Sequence, residues 1–452
     1  MLSDKISLMD GATAENIAIV SGVTLPVGSL GELFYKTGTD EGLYYYSTEW
    51  TKVGTGSGSG IETGDTLPAG TYVGQMFTKT GTNANTYMFN GEEWVALVSL
   101  PTVSGTLWGW GYNTLGPLGL GDLTNRSSPV QVGALTDWSN IGSGTYNSYG
   151  VKTDGTLWSW GPEGDGQLGL GSNGPYSSPV KVGSLTNWKT VSGSYLSCYA
   201  IKTDGTLWAW GKNQDGKLGL NDSTSRSSPT QVGSLTDWKH IRCLETSAAA
   251  IKTDGTLWTW GNNSQGQLGH GDLVYRSSPT QVGSLTNWAQ VSTGGNYTIA
   301  LKTDGTLWSW GNNAQGQLGH GNTIHRSSPV QVGSLTDWKY AEAGNIHNIA
   351  VKTDGTLWTW GYNAVGQLGL GDEVNRSSPV QVGSLTNWKL VDGGTHHCLA
   401  IKTDGTLWSW GNNAQGPLGL GDTTNRSSPV QVGMLNSWKQ FSAHGNFTLA
   451  IR

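Results

Sequence analysis

The chain has 452 residues, of which 69 are glycine and 23 tryptophan, while 13% are charged and the formal net charge is −6. That length allows a large domain plus appendages. Residues 1–100 hold four Lys/Arg against eleven Asp/Glu and the remainder 22 against 21, so neither part has the basic field that nucleic acid requires. Cys198, Cys243 and Cys398 match no metal spacing and no disulfide framework, and are expected as small buried thiols. No apolar stretch approaches the ~20 residues that span a bilayer. The N-terminal MLSDKISLMDGATAENIAIV has no basic segment leading into a clean apolar core. Neither membrane insertion nor a secretory signal is therefore expected.

Residues 1–23 form an anchor segment of either helical or extended character. Two related β modules follow, at 24–53 and 66–100. Phe34 matches Phe77, the KTGT runs at 36–39 and 79–82 coincide, and Tyr44, Tyr46 and Trp50 match Tyr87, Phe89 and Trp94. Each reads as a three-stranded meander about 30 residues long, too small for a core of its own. Residues 54–65 between them, beginning GTGSGSG, read as a flexible tether. The module pattern, LP…GEL(F)…T…LY and a closing tryptophan, resembles short modules of bacteriophage tail-fibre and other virion proteins. The second module keeps that pattern's Asn90-Gly91, and the first has Ser47-Thr48 instead.

Residues 101–452 are seven copies of a 50-residue unit with no insertion or deletion, marked by tryptophans at 108, 158, 208, 258, 308, 358 and 408. The phrase LAIKTDGTLWSWG at Leu399–Gly411 reads as two strands joined by a Thr-Asp-Gly turn. It recurs at 151–161, 201–211, 251–261, 301–311 and 351–361. Residues 104–111 carry only its second half, and 447–452 only its first. Each unit supplies four short strands, in the last case Lys389–Asp392, Cys398–Lys402, Thr406–Trp410 and Val430–Val432. A fixed period of this size signals a solenoid or a propeller. The split phrase favours a closed ring, in which 439–451 gives the two inner strands of a blade and 106–132 the two outer ones. The expected fold is all-β: a seven-bladed β-propeller closed by terminal half-blades, preceded by two small β-meander modules.

The run TLWSWGNNAQGQLGHGNTIHRSSPVQVGSLTDWK resembles the regulator of chromosome condensation repeat family, which forms seven-bladed propellers. Its WG-x-N-x-x-G-Q-L-G-x-G signature is present seven times, with Pro117, Lys217 and Pro417 in place of Gln and Pro162-Glu163 in place of the Asn pair. Members of that family include a nuclear guanine-nucleotide exchange factor and a secreted β-lactamase inhibitor. The resemblance therefore implies a fold and leaves the function open.

Lettering the strands A to D outward from the axis puts the A–B and C–D loops on one face of the disc and the B–C and D–A loops on the other. The second face is nearly invariant, with TDG turns and V-G-x-L-x-x-W runs, whereas the copies disagree on the first. This concentration suggests recognition there. The contact candidates are Tyr146, Tyr176, Tyr195, Leu196, Glu245, Tyr275, Asn296, His325, Ile346, His347, His396, His397 and Asn446. His347 and His397 also fit a packing role.

No catalytic constellation, cofactor motif or metal-ligand spacing stands out, although His347, His396, His397 and His444 invite a metal reading that nothing supports. The arginines at 126, 226, 276, 326, 376 and 426, one per blade, are expected to make internal hydrogen bonds. Both chain ends of the disc fall on the invariant face, which suits a stalk below and a reader above.

The leading expectation is a non-enzymatic phage virion protein, located in a tail fibre or other external appendage and made in the host cytoplasm. Residues 1–100 would dock to other virion proteins, with a homotrimer suggested by the small modules. The propeller face would contact a host-surface glycan or protein. The alternatives are a soluble regulator or inhibitor that binds a partner protein through the same face, and a purely structural virion decoration.

Overall fold

In the computed structural model, the repeated phrase forms the middle of a four-stranded antiparallel sheet. The first complete blade runs Trp138–Ser143 (strand A), Ser148–Lys152 (B), Leu157–Gly161 (C) and Tyr176–Lys181 (D), hydrogen-bonded in that order. The pattern repeats every 50 residues to the blade at Trp388–Gln431. The structure describes residues 104–172 and 174–452, together with eight short strands between residues 20 and 97.

The seventh blade joins the two ends of the array. Gln440–His444 and Phe447–Ile451 supply strands A and B, and Leu107–Gly111 and Arg126–Gln131 supply C and D. Phe447 pairs with Gly111, Leu449 with Gly109 and Ile451 with Leu107. The register matches that between B and C elsewhere, as in His397 with Gly411 and Ile401 with Leu407. The ring closes, and Leu107–Gly111 is paired on both sides like every other C strand.

The tryptophans explain why the phrase is so constant. Trp158 and Trp160 lie two apart and share one side of the pleat. Trp160 is fully buried and donates its indole N–H to the carbonyl of Pro117, in the C–D loop of the neighbouring blade, at 2.8 Å. Trp110 reaches Pro417 across the closure at 2.8 Å, and Trp210, Trp260, Trp310, Trp360 and Trp410 make the same link from blade to blade. The acceptor is a backbone carbonyl, so Pro, Gln or Lys serves equally well at that position. Two residues along, Gly169 at φ 70° leaves no room for a side chain, because a Cβ would lie 2.7 Å from the Trp210 indole nitrogen. Trp138 packs edge-on against Trp158 and Trp160 at 6.2 and 5.9 Å.

Two expectations change in detail. The D strand of the last full blade spans Arg426–Gln431 and begins earlier than Val430. Its ladder carries an irregularity between Ser409↔Val430 and Gly411↔Arg426, next to Pro429, which an outer edge strand tolerates. The N-terminal sheets are four-stranded, each opening with a short parallel strand. Val20–Gly22 lies beside Leu33–Lys36 in the first and Glu62–Gly64 beside Met76–Lys79 in the second, ahead of the antiparallel meander. Residues 1–19 of the anchor and the GTGSGSG tether lie outside the described residues. The chain divides into two units, Met1–Thr102 and Val103–Arg452.

Candidate functional site: the varied face of the propeller

The A–B turns and C–D loops are bonded to each other, which makes them one surface. Lys212 N–H donates to Leu196 O at 2.8 Å, Asn312 to Asn296 at 2.9 Å and Tyr362 to Ile346 at 3.0 Å. The opposite face owes its constancy to side-chain work. In each complete TDG turn, as at Asp154, the carboxylate accepts from the Thr156 N–H and hydroxyl at 2.9 and 2.6 Å. The Thr156 hydroxyl in turn accepts from the Trp158 indole at 2.9 Å. The C–D loops hold their arginines internally: Arg126, Arg226, Arg276, Arg376 and Arg426 pair with the aspartate four residues earlier at 2.5–2.8 Å. Arg326 has Asn322 there and bonds instead to the His325 carbonyl at 3.3 Å.

Of the sequence-predicted contacts, Tyr195 and Tyr275 are 42% and 46% exposed and His325 is also exposed. Tyr146, Tyr176, Leu196, Glu245, Asn296, Ile346, His396 and Asn446 are half-buried. His325 also has a structural duty, since its Nδ1 accepts the Asn313 N–H at 2.7 Å, a bond that Asn375 supplies to Asn363 one blade on. His347 and His397 do not belong in the contact set. They are 0% and 1% exposed, wedged between blades, with Nε2 3.2 Å from Cys398 Sγ and 3.4 Å from the Thr448 hydroxyl respectively. Burial pushes both imidazoles down to about 3, which keeps them neutral packing groups. The three cysteines are free and buried. Among the described residues no three His, Cys, Asp or Glu side chains are grouped to hold a metal ion.

The predicted residues are joined by two that sequence reading missed. The rings of Tyr112, Tyr146 and Tyr195 form a strip across three blades, with centroids 6.0 and 6.1 Å apart. Tyr362 and His396 make a similar pair at 6.2 Å. Tyr112 and Tyr362 directly follow the WG of strand C, where other copies carry Pro162, Lys212, Asn262, Asn312 and Asn412. That variation was the available signal.

A second missed feature is a cavity of about 230 Å³ on the axis, lined by A-strand residues of all seven blades. Arg242 reaches Glu342, two blades away, at 3.0 Å. The Glu342 carboxylate also accepts from Ser292 at 2.6 Å and Tyr340 at 2.8 Å. Burial and the negative charge of Glu342 push Asp392 up to about 7, while burial pushes His240 and His444 down to about 4.

Seven consecutive segments, 104–151, 154–201, 204–251, 254–301, 304–351, 354–401 and 404–451, match the regulator of chromosome condensation (RCC1) repeat. The chain belongs to that family. Its RCC1 propeller is similar to that of human WBSCR16, with 20% identity and a TM-score of 0.69, over 76% of this chain and 98% of the other. It is also similar to Prp20p of Saccharomyces cerevisiae, with 20% identity and a TM-score of 0.67, over 76% and 90% of the two chains. Yeast RCC1 (Prp20) bound to Kap60 gives the same identity and score over 78% and 90%. At this identity the likeness establishes the RCC1 fold alone. No curated protein sequence gives a significant match.

Proposed function

We propose that this RCC1-family chain is a non-enzymatic regulator or inhibitor that holds a partner protein against the varied face of its disc. The observation that carries the reading is the Tyr112–Tyr146–Tyr195 strip, which lies on the one face where near-identical copies differ. Tyrosine presents a large, rigid contact area at small entropic cost, with a hydroxyl for specificity. Prp20p, which has the same fold, is described with its binding to Gsp1p and histones, and yeast RCC1 as bound by Kap60, so protein recognition is at home on this scaffold. The test is affinity capture with the whole chain, comparing Tyr112→Ser/Tyr146→Ser/Tyr195→Ser with Leu185→Ser/Leu235→Ser on the opposite face. Loss of the captured protein only in the tyrosine variant supports the reading, and loss only in the leucine variant refutes it.

A second reading, a virion protein that contacts a host glycan or protein, rests on the two N-terminal sheets. Their shared topology supports a duplicated module, and the resemblance of its sequence pattern to tail-fibre modules motivates the reading. Removal of residues 1–100 would then abolish incorporation into a particle and leave the propeller folded. Normal incorporation would count against it.

A further inference from the structure

One corner of the varied face departs from its counterparts: the junction between the C–D loop that follows Leu207–Gly211 and the A–B turn that follows Trp238–Leu244 in the next blade. Among the described residues, the non-glycine positions with positive φ are Asp215 (62°), Asn221 (63°) and Glu245 (44°), all at this junction of two neighbouring blades. Such conformations are costly and tend to gather at functional sites. Between them stands Lys217, where the other copies carry Gln or Pro. Its backbone carbonyl is clamped by the Trp260 indole at 2.8 Å and by the Tyr199 hydroxyl, so the residue sits on a rigid platform. The side chain is 5% exposed and lines a pocket of about 330 Å³ with Tyr195, Lys212, Gln214, Asp215, Glu245 and Thr246.

The setting of this amine is unlike that of the other buried lysines. Lys152, Lys252 and Lys352 lie over two tryptophan rings each and reach Asp137, Asp237 and Asp337 at 3.3–3.5 Å. Lys202, Lys302 and Lys402 likewise stack on two rings. Lys217 does neither among the described residues; its ammonium donates to the Glu245 backbone carbonyl at 3.0 Å. Burial, aided by the like charge of Lys212, brings it down to about 8, and burial raises the Glu245 carboxyl. A desolvated lysine beside a second cation, with an acid in the same pocket, is the usual environment of an amine nucleophile.

We propose that Lys217 is a carbonyl-capture site, which condenses reversibly with a small aldehyde seated between Tyr195 and Glu245. The neutral Nζ attacks the carbonyl carbon and forms the C–N bond. The carbonyl oxygen takes up a proton, and the nitrogen gives one up. The resulting hydroxyl then leaves as water, with a proton supplied by the Glu245 carboxyl, the nitrogen lone pair closes the C=N bond, and the iminium N–H proton returns to the Glu245 carboxylate. Aldehyde and amine become imine and water with no oxidant or reductant.

The test uses the full chain and pyridoxal as the probe aldehyde, with imine absorption as the first readout. Borohydride trapping and peptide mass mapping then locate the adduct. At pH 7 an amine at about 8 is roughly a tenth neutral, against well under a thousandth for an ordinary lysine, so Lys217 should be enriched ~10- to 100-fold over exposed lysines. Lys217→Gln restores the residue of four sibling blades, retains the fold and should remove the adduct. Lys212→Gln should slow its formation at pH 7 and leave it unchanged at pH 10. Adducts spread over exposed lysines, or unchanged in Lys217→Gln, would overturn the proposal.

Discussion

Replacing Asp392 by Asn should stabilise the propeller at neutral pH, and the gain should fade in acid. The Asp392 carboxylate lines the axial cavity in the same cluster as Glu342, and its two oxygens accept from the Gly393 and Ala443 N–H groups at 2.9 and 2.8 Å. Its folded value of about 7 lies above the ordinary ~3.9 of an unfolded aspartate. Between those values the folded chain binds the extra proton, so stability falls as pH rises from ~4 to ~7 and levels off above. The full shift corresponds to ~4 kcal/mol. Partial solvation by the cavity reduces the expected effect to ~2 kcal/mol at pH 8. Asn cannot ionise, and its carbonyl retains one of the two amide contacts. Thermal and urea unfolding of Asp392→Asn should therefore show a midpoint a few degrees above wild type at pH 8, with the gap shrinking to ~1 kcal/mol or less at pH 5. A variant that is less stable at pH 8, or whose effect does not change with pH, would refute the account of the axial cluster.

Trp160→Phe removes one of the two bonds to the Pro117 carbonyl, the other coming from Ser148 at 2.6 Å, and also empties space in the core. Denaturation should show a loss of ~2–3 kcal/mol. His397→Ala should destabilise by ~2 kcal/mol or more, whereas the neighbouring half-exposed His396→Ala should change stability by less than ~0.5 kcal/mol and weaken only partner binding. Equal effects on unfolding would contradict the burial assigned to the pair. Deleting 439–452 strips strands A and B from the closing blade and bares the edge of Leu107–Gly111. Size-exclusion chromatography should then show aggregation, and an elution profile unchanged from the full chain would contradict a closed ring.

The closed ring was legible in the sequence because its evidence is positional. A constant period and two complementary half-phrases leave little choice of partner for Phe447–Ile451. The D strand starts were not legible, because RSSPVQ has no apolar alternation and contains a proline. Nor were the parallel strands Val20–Gly22 and Glu62–Gly64, which are too short to carry a pattern. At the candidate site, residue type could not separate His396 from His397. They are adjacent in sequence, and only the point where the turn becomes strand B sends the second between the blades. Tyr112 was hidden behind an invariant WG, although it completes the aromatic strip. Arg242, Glu342 and Asp392 looked like unrelated differences between copies. They meet only because seven A strands converge on one axis.

The most direct measurement of which face reads the partner is hydrogen–deuterium exchange of the full chain, alone and with the captured protein bound. Slowed exchange at 112–115, 144–147 and 194–197, with no change at 183–187 and 233–237, is the predicted result. The reverse pattern would place recognition on the invariant face and contradict the assignment.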